Sequence, residues 1–339
     1  MDLVTGATGS LGMHLVSVLL AAGREVRGMR RRESNVTRCE AFWDRKLGSE
    51  SWREQFEWIE GDLSDGLLLE QMLLGGVKRV FHAAALVSFH PKDANRMMET
   101  NREGTARLVD AMLHVGTPEL IHISSVAALG RKHAEPVHEE TPYEEGPDVS
   151  AYGRSKHMAE REVWRGEAEG LKVVSLNPVI ILGEGNYSQS SAALFTLVHR
   201  GLGWYPMGEN GFVSAWDVAR AALQLAQQGT SWGHRFVLCA ENRSYQSILS
   251  TIAEAFDKHP PSKPLRPWMS GLAWRLAWIW ERISGRKAVL TRESVANTAC
   301  VHHYATQKLE SHLTSWRYQP VDEVIAETAE AYLFSKSRS

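Results

Sequence analysis

Short apolar runs alternate with longer stretches in which apolar positions recur every three or four residues, through roughly the first half of the chain. The runs at 2–5, 25–29, 57–60, 79–83, 120–124 and 172–177 have the length and composition of strands. Between them the spacing predicts helices near 11–22, 66–74, 94–115 and 151–169. Alternation of this kind produces crossover units, so the pattern predicts an α/β fold built on a doubly wound parallel sheet with helices on both faces. In such a sheet a ligand lies beyond the C-terminal strand ends, at the switch point beside the first strand.

The pattern loosens after Pro178. Residues 183–211 are rich in glycine, serine and aromatics and read as a substrate-facing loop region with a helix near 190–200. A helix at 216–227 and a strand at 235–239 look like a return to the sheet. The predicted organisation is therefore a dinucleotide-type domain over 1–180 with a return segment at 212–240. A smaller, mostly helical lobe comprises 181–211 and 241–339.

Bulk properties narrow the function classes. A formal charge of −2 over 339 residues gives no reason to expect nucleic acid as a partner, although Arg30, Arg31 and Arg32 are consecutive. Cys39, Cys239 and Cys300 are few, odd in number and far apart, so neither a disulfide framework nor a metal site is expected. The first strand begins almost at Met1, which predicts no signal peptide and a cytoplasmic protein.

One stretch, 268–280, carries Trp268, Trp274, Trp278 and Trp280 and is interrupted by Arg275. It is shorter than the ~20 apolar residues of a membrane span. Three readings stand: a helix packed into the small lobe, a hydrophobic substrate wall or homodimer contact, and a membrane-surface helix. Arg266, Arg275, Arg282, Arg286 and Lys287 around the tryptophans make the last worth stating.

Chemistry enters with Gly6-Ala7-Thr8-Gly9-Ser10-Leu11-Gly12, which follows an apolar run and opens a helical stretch. In that context, glycines let the backbone turn sharply and let a pyrophosphate approach a helix N-terminus. Alone, the trio would read as a tight turn. Tyr152 and Lys156 answer it further along, four residues apart on one face of a predicted helix. A free phenol titrates near ~10, and a neighbouring ammonium favours its ionised form, which suits a proton shuttle. Ser124 and Ser125 close the run at 120–124, where a hydroxyl can hydrogen-bond a substrate oxygen.

With these residues in order, the chain resembles the extended short-chain dehydrogenase/reductases of the NAD-dependent epimerase/dehydratase family. Within that family it is most similar to the dihydroflavonol reductase and 3β-hydroxysteroid dehydrogenase branch. The matching segments are Thr5 to Gly12, Gly61-Asp62-Leu63, His82-Ala83-Ala84-Ala85, Asn101-Arg102-Glu103-Gly104-Thr105, Ser124-Ser125, Tyr152-Gly153-Arg154-Ser155-Lys156 and Asn177-Pro178. The resemblance implies a Rossmann-type domain and a nicotinamide cofactor. It implies that Gly6, Thr8, Gly9, Ser10, Leu11 and Gly12 form the phosphate turn, and that Asp62 and Leu63 contact adenine. Ala83, Ala84, Ala85 and Asn101 would line the cofactor, with Ser124 beside it, and Pro178 and Val179 would meet its nicotinamide end. Ser125 would be the catalytic serine, Tyr152 the acid/base and Lys156 the ribose anchor. Asn177 departs from the arginine that many sugar-modifying relatives carry before the proline.

Cofactor choice turns on the end of the second strand. An acidic residue there binds a ribose 2′-hydroxyl, whereas a 2′-phosphate calls for arginine. Here Arg30 and Arg31 stand at that place and Arg38 follows, so NADP is expected, with NAD the lesser candidate. The leading function is reduction of a carbonyl, or oxidation of the alcohol, on a fairly apolar small molecule. Val87, Ser88, Phe89, Tyr143, Tyr187 and Trp204 are expected to border its pocket. The competing readings are a nucleotide-sugar epimerase or dehydratase using NAD, and a cofactor-sensing protein without turnover.

Overall fold

The computed structural model describes residues 1–48, 50–130, 136–146, 149–266, 269, 274 and 298–337. The stretch at 268–280 lies outside the described residues except for Met269 and Trp274, as do Arg275, Arg282, Arg286 and Lys287. Strands β1 (Asp2–Thr5), β2 (Val26–Arg30), β3 (Phe56–Glu60), β4 (Arg79–His82), β5 (Glu119–Ile123) and β6 (Lys172–Pro178) follow one another in the first half. Next come β7 (Ile180–Leu182), β8 (Trp204–Tyr205) and β9 (Glu209–Ser214), and then β10 (His234–Leu238). The central sheet has seven parallel strands in the order β10-β6-β5-β4-β1-β2-β3, so the switch point lies between β1 and β4.

Alternate residues of each strand serve opposite faces. Val4, Phe81, Ile121 and Val174 join one apolar layer. Helices α1 (Ser10–Ala21), α2 (Thr37–Leu47) and α8 (Ala215–Gln227) cover it with Met13, Leu15, Phe42, Trp43 and Val218. Leu3, Val80, Leu120 and Val173 join the other. Helices α3 (Gly66–Leu73), α5 (Gly104–Val115) and α6 (Ala151–Ala168) cover that face with Leu69, Leu108, Val109 and Val163. The doubly wound parallel sheet read from the alternation is therefore present.

A third cluster lies with the remaining elements. Helices α7 (Ala193–His199) and α9 (Tyr245–Ala255) pack Phe195, Ile248, Leu249 and Ile252 against Phe212 of β9. Val321, Val324 and Ile325 of the C-terminal helix Val321–Ser337 close the cluster. Strand β11 (Glu241–Ser244) pairs antiparallel with β9, and β7 pairs parallel with it. Strand β12 (Lys263–Pro264) runs parallel to β8. No helix among the described residues is long and apolar enough to cross a membrane.

The structure corrects several element readings. The helix expected over 94–115 is a short α4 (Ala94–Met97), a π-helical turn (Met98–Glu103) and α5. Helix α2 was not expected, because only Cys39, Phe42 and Trp43 of its eleven residues are buried and most of the others are polar. Strand β5 ends at Ile123, so Ser124 lies just beyond it, and β4 ends at His82 rather than at residue 83. The region 183–211 contains β8 and the start of β9 besides its helix.

Candidate active site

The glycine turn joins β1 to α1 at the switch point. Gly6 has φ +70°, and a Cβ there would meet the Ala84 amide nitrogen at 2.7 Å. A Cβ on Gly12 would meet the Gly6 carbonyl oxygen at 2.0 Å, which fixes how closely α1 approaches the turn. Gly9 caps α1 with no side-chain hydrogen bond, so its first amides stay open to an anion.

A cleft of about 400 Å³ lies over this turn. It gathers Gly6, Thr8, Gly9, Arg30, Arg31, Asp62, Leu63, Ala83, Ala84 and Ala85, together with Arg96, Glu99, Thr100 and Arg107, which sequence reasoning missed. The Arg107 Nη1 is buried and has no hydrogen-bond partner among the described residues. An open helix start, a glycine cradle and an unmatched buried donor fit a phosphate-bearing nucleotide. The Arg31 guanidinium lies 3.9 Å from the Asp62 carboxylate, and both are about half exposed. Burial pulls the Asp62 carboxyl upward, but the Ser64 hydrogen bonds and the charges of Arg31 and Arg107 hold it below its usual range. Arg38 Nη2 donates to the carbonyl of Thr8, a residue of the cleft, at 2.9 Å, which ties α2 to the glycine turn.

On the face covered by α5 and α6, the apolar layer gives way to a row of polar residues that crosses the sheet. Thr5, His82, His122, Ser175 and Arg235 stand in register on adjacent strands β1, β4, β5, β6 and β10. Burial and then the Lys156 charge lower His82 to about 3, so its imidazole is neutral. Its tautomer follows from its neighbours. Thr105 Oγ1 donates to the Asn101 carbonyl at 2.5 Å, so His82 Nε2 donates to Thr105 at 2.9 Å. His82 Nδ1 then accepts from Thr5 Oγ1 at 2.7 Å, and Thr5 in turn receives the Ala84 amide at 3.3 Å.

The Asn101 side chain extends the chain of bonds. Its Oδ1 accepts from the Leu86 amide at 2.7 Å, and its Nδ2 donates to Ser155 Oγ at 2.9 Å. Ser155 Oγ donates to the Tyr152 carbonyl at 2.8 Å. The glycine turn, the loop after β4, the π-helical turn and α6 are thus held by one directional set of hydrogen bonds. His122, 5.3 Å from His82, is buried with neither ring nitrogen hydrogen-bonded among the described residues, and burial depresses it well below the ordinary histidine value.

Ser125 follows β5, and α6 carries Tyr152 and Lys156 one turn apart, with Gly153 packed against the Ala127 carbonyl. Ser150 caps α6 by accepting the Gly153 amide at 2.8 Å, which starts the helix just before Tyr152. Lys156 is 2% exposed, and its Nζ donates to the Ile123 carbonyl at 2.8 Å. Burial lowers its ammonium to about 8, against the opposing pull of Glu160. Ser125 Oγ accepts from the Ala127 amide at 3.1 Å, which leaves the hydroxyl proton to be donated elsewhere. Ser124 Oγ donates to Glu160 Oε2 at 2.6 Å.

Of the expected pocket border, Phe89 packs edge-on to Tyr152 at 6.1 Å, and Val87 is exposed nearby in sequence. Ser88 Oγ donates to Asp93 at 2.8 Å. Tyr143 stacks on His157 at 3.7 Å. Tyr187 instead donates to the Thr328 carbonyl within the third cluster, and Trp204 lies under the Lys263 ammonium. Pro178 pairs with Leu238 in the sheet, and the Val179 amide is taken by the Leu238 carbonyl at 3.1 Å. Ser10 Oγ accepts the Asn186 amide at 3.3 Å, and Leu11 packs on the α1-side core.

A cleft over a glycine cradle at the switch point of a Rossmann-type sheet is the architecture of an NAD(P)-dependent enzyme of oxidoreductase type. The sequence profile of the NAD dependent epimerase/dehydratase family matches residues 3–239, and the chain belongs to that family. It is 30% identical over 277 residues to sterol demethylase protein B of Methylococcus capsulatus (strain ATCC 33009 / NCIMB 11132 / Bath), covering 80% of this chain and 79% of that protein. A Synechocystis sp. (strain ATCC 27184 / PCC 6803 / Kazusa) protein that carries a dihydroflavonol 4-reductase name is 27% identical, over 91% of this chain and 88% of its own. In fold, the chain is similar to UDP-glucose 4-epimerase from Bifidobacterium longum, solved in complex with NAD+ and UDP. There the TM-score is 0.77 at 17% identity, with 98% of each chain covered.

Proposed function

We propose that this chain is an NADP(H)-dependent oxidoreductase that reduces a carbonyl, or oxidises the corresponding alcohol, on a fairly apolar small molecule. The observation that supports the reading is the placement of Ser125 just after β5 and of Tyr152 and Lys156 one turn apart on α6, with the Lys156 ammonium on the Ile123 carbonyl and Phe89 against the Tyr152 ring. When bound, a nicotinamide supplies or accepts the hydride. Ser125, whose oxygen accepts the Ala127 amide, donates a hydrogen bond to the substrate oxygen and orients it, keeping its own proton. Tyr152 gives the proton in reduction and takes it in oxidation, and the Lys156 ammonium favours its ionised form. Arg30 and Arg31, at the end of β2, supply guanidinium groups for a 2′-phosphate, with Asp62 and Leu63 beside the adenine.

Relatives named for sterol and dihydroflavonol chemistry support an apolar, ring-containing substrate. The test is NADPH consumption by the purified protein across a panel of apolar carbonyl compounds and small polar ones. Turnover should favour the apolar members. Protein that carries tightly held NAD, interconverts nucleotide sugars and consumes no cofactor would overturn the reading in favour of an epimerase.

A further inference from the structure

Glu160 lies one helical turn after Lys156 on α6 and is 3% exposed. Donors from four places converge on its carboxylate. Ser124 Oγ reaches Oε2 at 2.6 Å and Asn177 Nδ2 reaches it at 2.9 Å. Trp164 Nε1 and Arg235 Nε reach Oε1 at 3.3 and 3.2 Å. The same Asn177 nitrogen also meets the Ser125 carbonyl at 3.1 Å. A buried carboxylate is costly unless paired and hydrogen-bonded, so four partners account for its presence there. An ion pair with Arg235 alone would not account for the second oxygen, on which the two neighbours of Ser125 converge.

We infer that Glu160 is a positioning residue for the chemistry: through Ser124 and Asn177 it sets Ser125, and its carboxylate is the anion that the buried Lys156 ammonium faces. The inference rests on the reading of Ser125, Tyr152 and Lys156 given above. Around Lys156 the other ionisable groups are His82 and His122 from the sheet and Tyr152 from its own helix. Around Glu160 they are His157 on the same helix and Arg235 from β10. His82 and His122 are neutral by burial, and the Glu160 carboxylate draws the Lys156 ammonium upward. Removing its charge lets Lys156 lose its proton at lower pH. It also leaves Asn177 with an unmatched donor beside Ser125.

The test compares pH profiles of NADPH-dependent reduction for the parent, Glu160→Gln, Glu160→Asp and Asn177→Ala, each first checked for a cooperative thermal transition. Glu160→Gln should lower kcat by up to about 100-fold, the scale of a ~1 Å misplacement. Its alkaline limb should move to lower pH by ~1 unit, the size expected on losing a nearby opposite charge. Glu160→Asp and Asn177→Ala keep the charge but slacken the hold on Ser125, so they should lower kcat and leave the limb where the parent has it. A Glu160→Gln profile reduced equally at every pH, or parent-like kcat in Asn177→Ala, overturns the inference. Should Glu160→Gln fail to fold, Asn177→Ala and Glu160→Asp still decide it. Tyr152→Phe, assayed alongside, separates the two levels: a fully active Phe variant overturns the reading of the site, whereas an inactive one beside an unmoved Glu160→Gln limb overturns only the role of Glu160.

Discussion

The two ends of the proposed site are built in opposite ways. At the end over the glycine turn, Arg31 and Asp62 are about half exposed and 3.9 Å apart. At the end beside α6, Lys156, Glu160, Ser124 and Asn177 are buried and tied by bonds of 2.6 to 3.1 Å. Exposed pairs of the first kind are each worth little and are screened by salt. Buried networks of the second kind fail as a unit. Recognition and chemistry should therefore respond to mutation and pH on different scales.

The largest effect should come from the buried end. Tyr152→Phe should lower turnover by roughly two to four orders of magnitude, the usual worth of a positioned acid, with cofactor affinity little changed. Steady-state kinetics beside a binding titration check this, and a variant as fast as the parent would erase the contrast between the ends.

Acid should come next. His82 and His14 are depressed by burial to about 3 and about 4, whereas the unfolded chain titrates them near 6.5. Below 6.5 the unfolded chain therefore binds more protons than the folded one. Their contribution is complete above that pH and is lost as the pH falls, by about 2 kcal/mol each at pH 5. Denaturant midpoints at pH 7 and pH 5 measure the loss, and equal midpoints would refute the picture. His122→Leu removes an imidazole that makes no hydrogen bond, so it should flatten the slope further.

The smallest effect belongs to the exposed end. Arg31→Ala should weaken NADPH by about ten- to a hundredfold, the worth of a charge-assisted hydrogen bond, and leave NADH nearly unchanged. Equal affinities of the parent for the two nucleotides would remove the basis for an NADP preference.

Local signals made the scaffold legible. Strand runs, the glycine turn and the Tyr152/Lys156 spacing each lie within a few residues, and a parallel sheet follows from the alternation of strands with helices. What stayed hidden depends on contacts between distant segments. Glu160 reads as one more charged position on a helix until Ser124, Asn177 and Arg235 arrive from three strand ends. His82 and His122 read as interruptions in apolar runs, and only the strand register sets them side by side. Helix α2 escaped because three buried positions in a polar stretch give a faint period. Arg38 stood correctly in sequence after the basic turn, yet the fold of that segment directs its guanidinium to Thr8.

The π-helical turn has a kinetic consequence. Leu86 lies in a segment without helix or strand, and its amide is held at 2.7 Å by a side chain that the turn at Met98–Glu103 carries. Solvent deuterons can reach that amide only when the turn opens and Asn101 lets go. In exchange kinetics Leu86 then belongs with the helix rather than with its own loop. Its rate becomes a clock for the opening of the joint between the loop after β4 and α6.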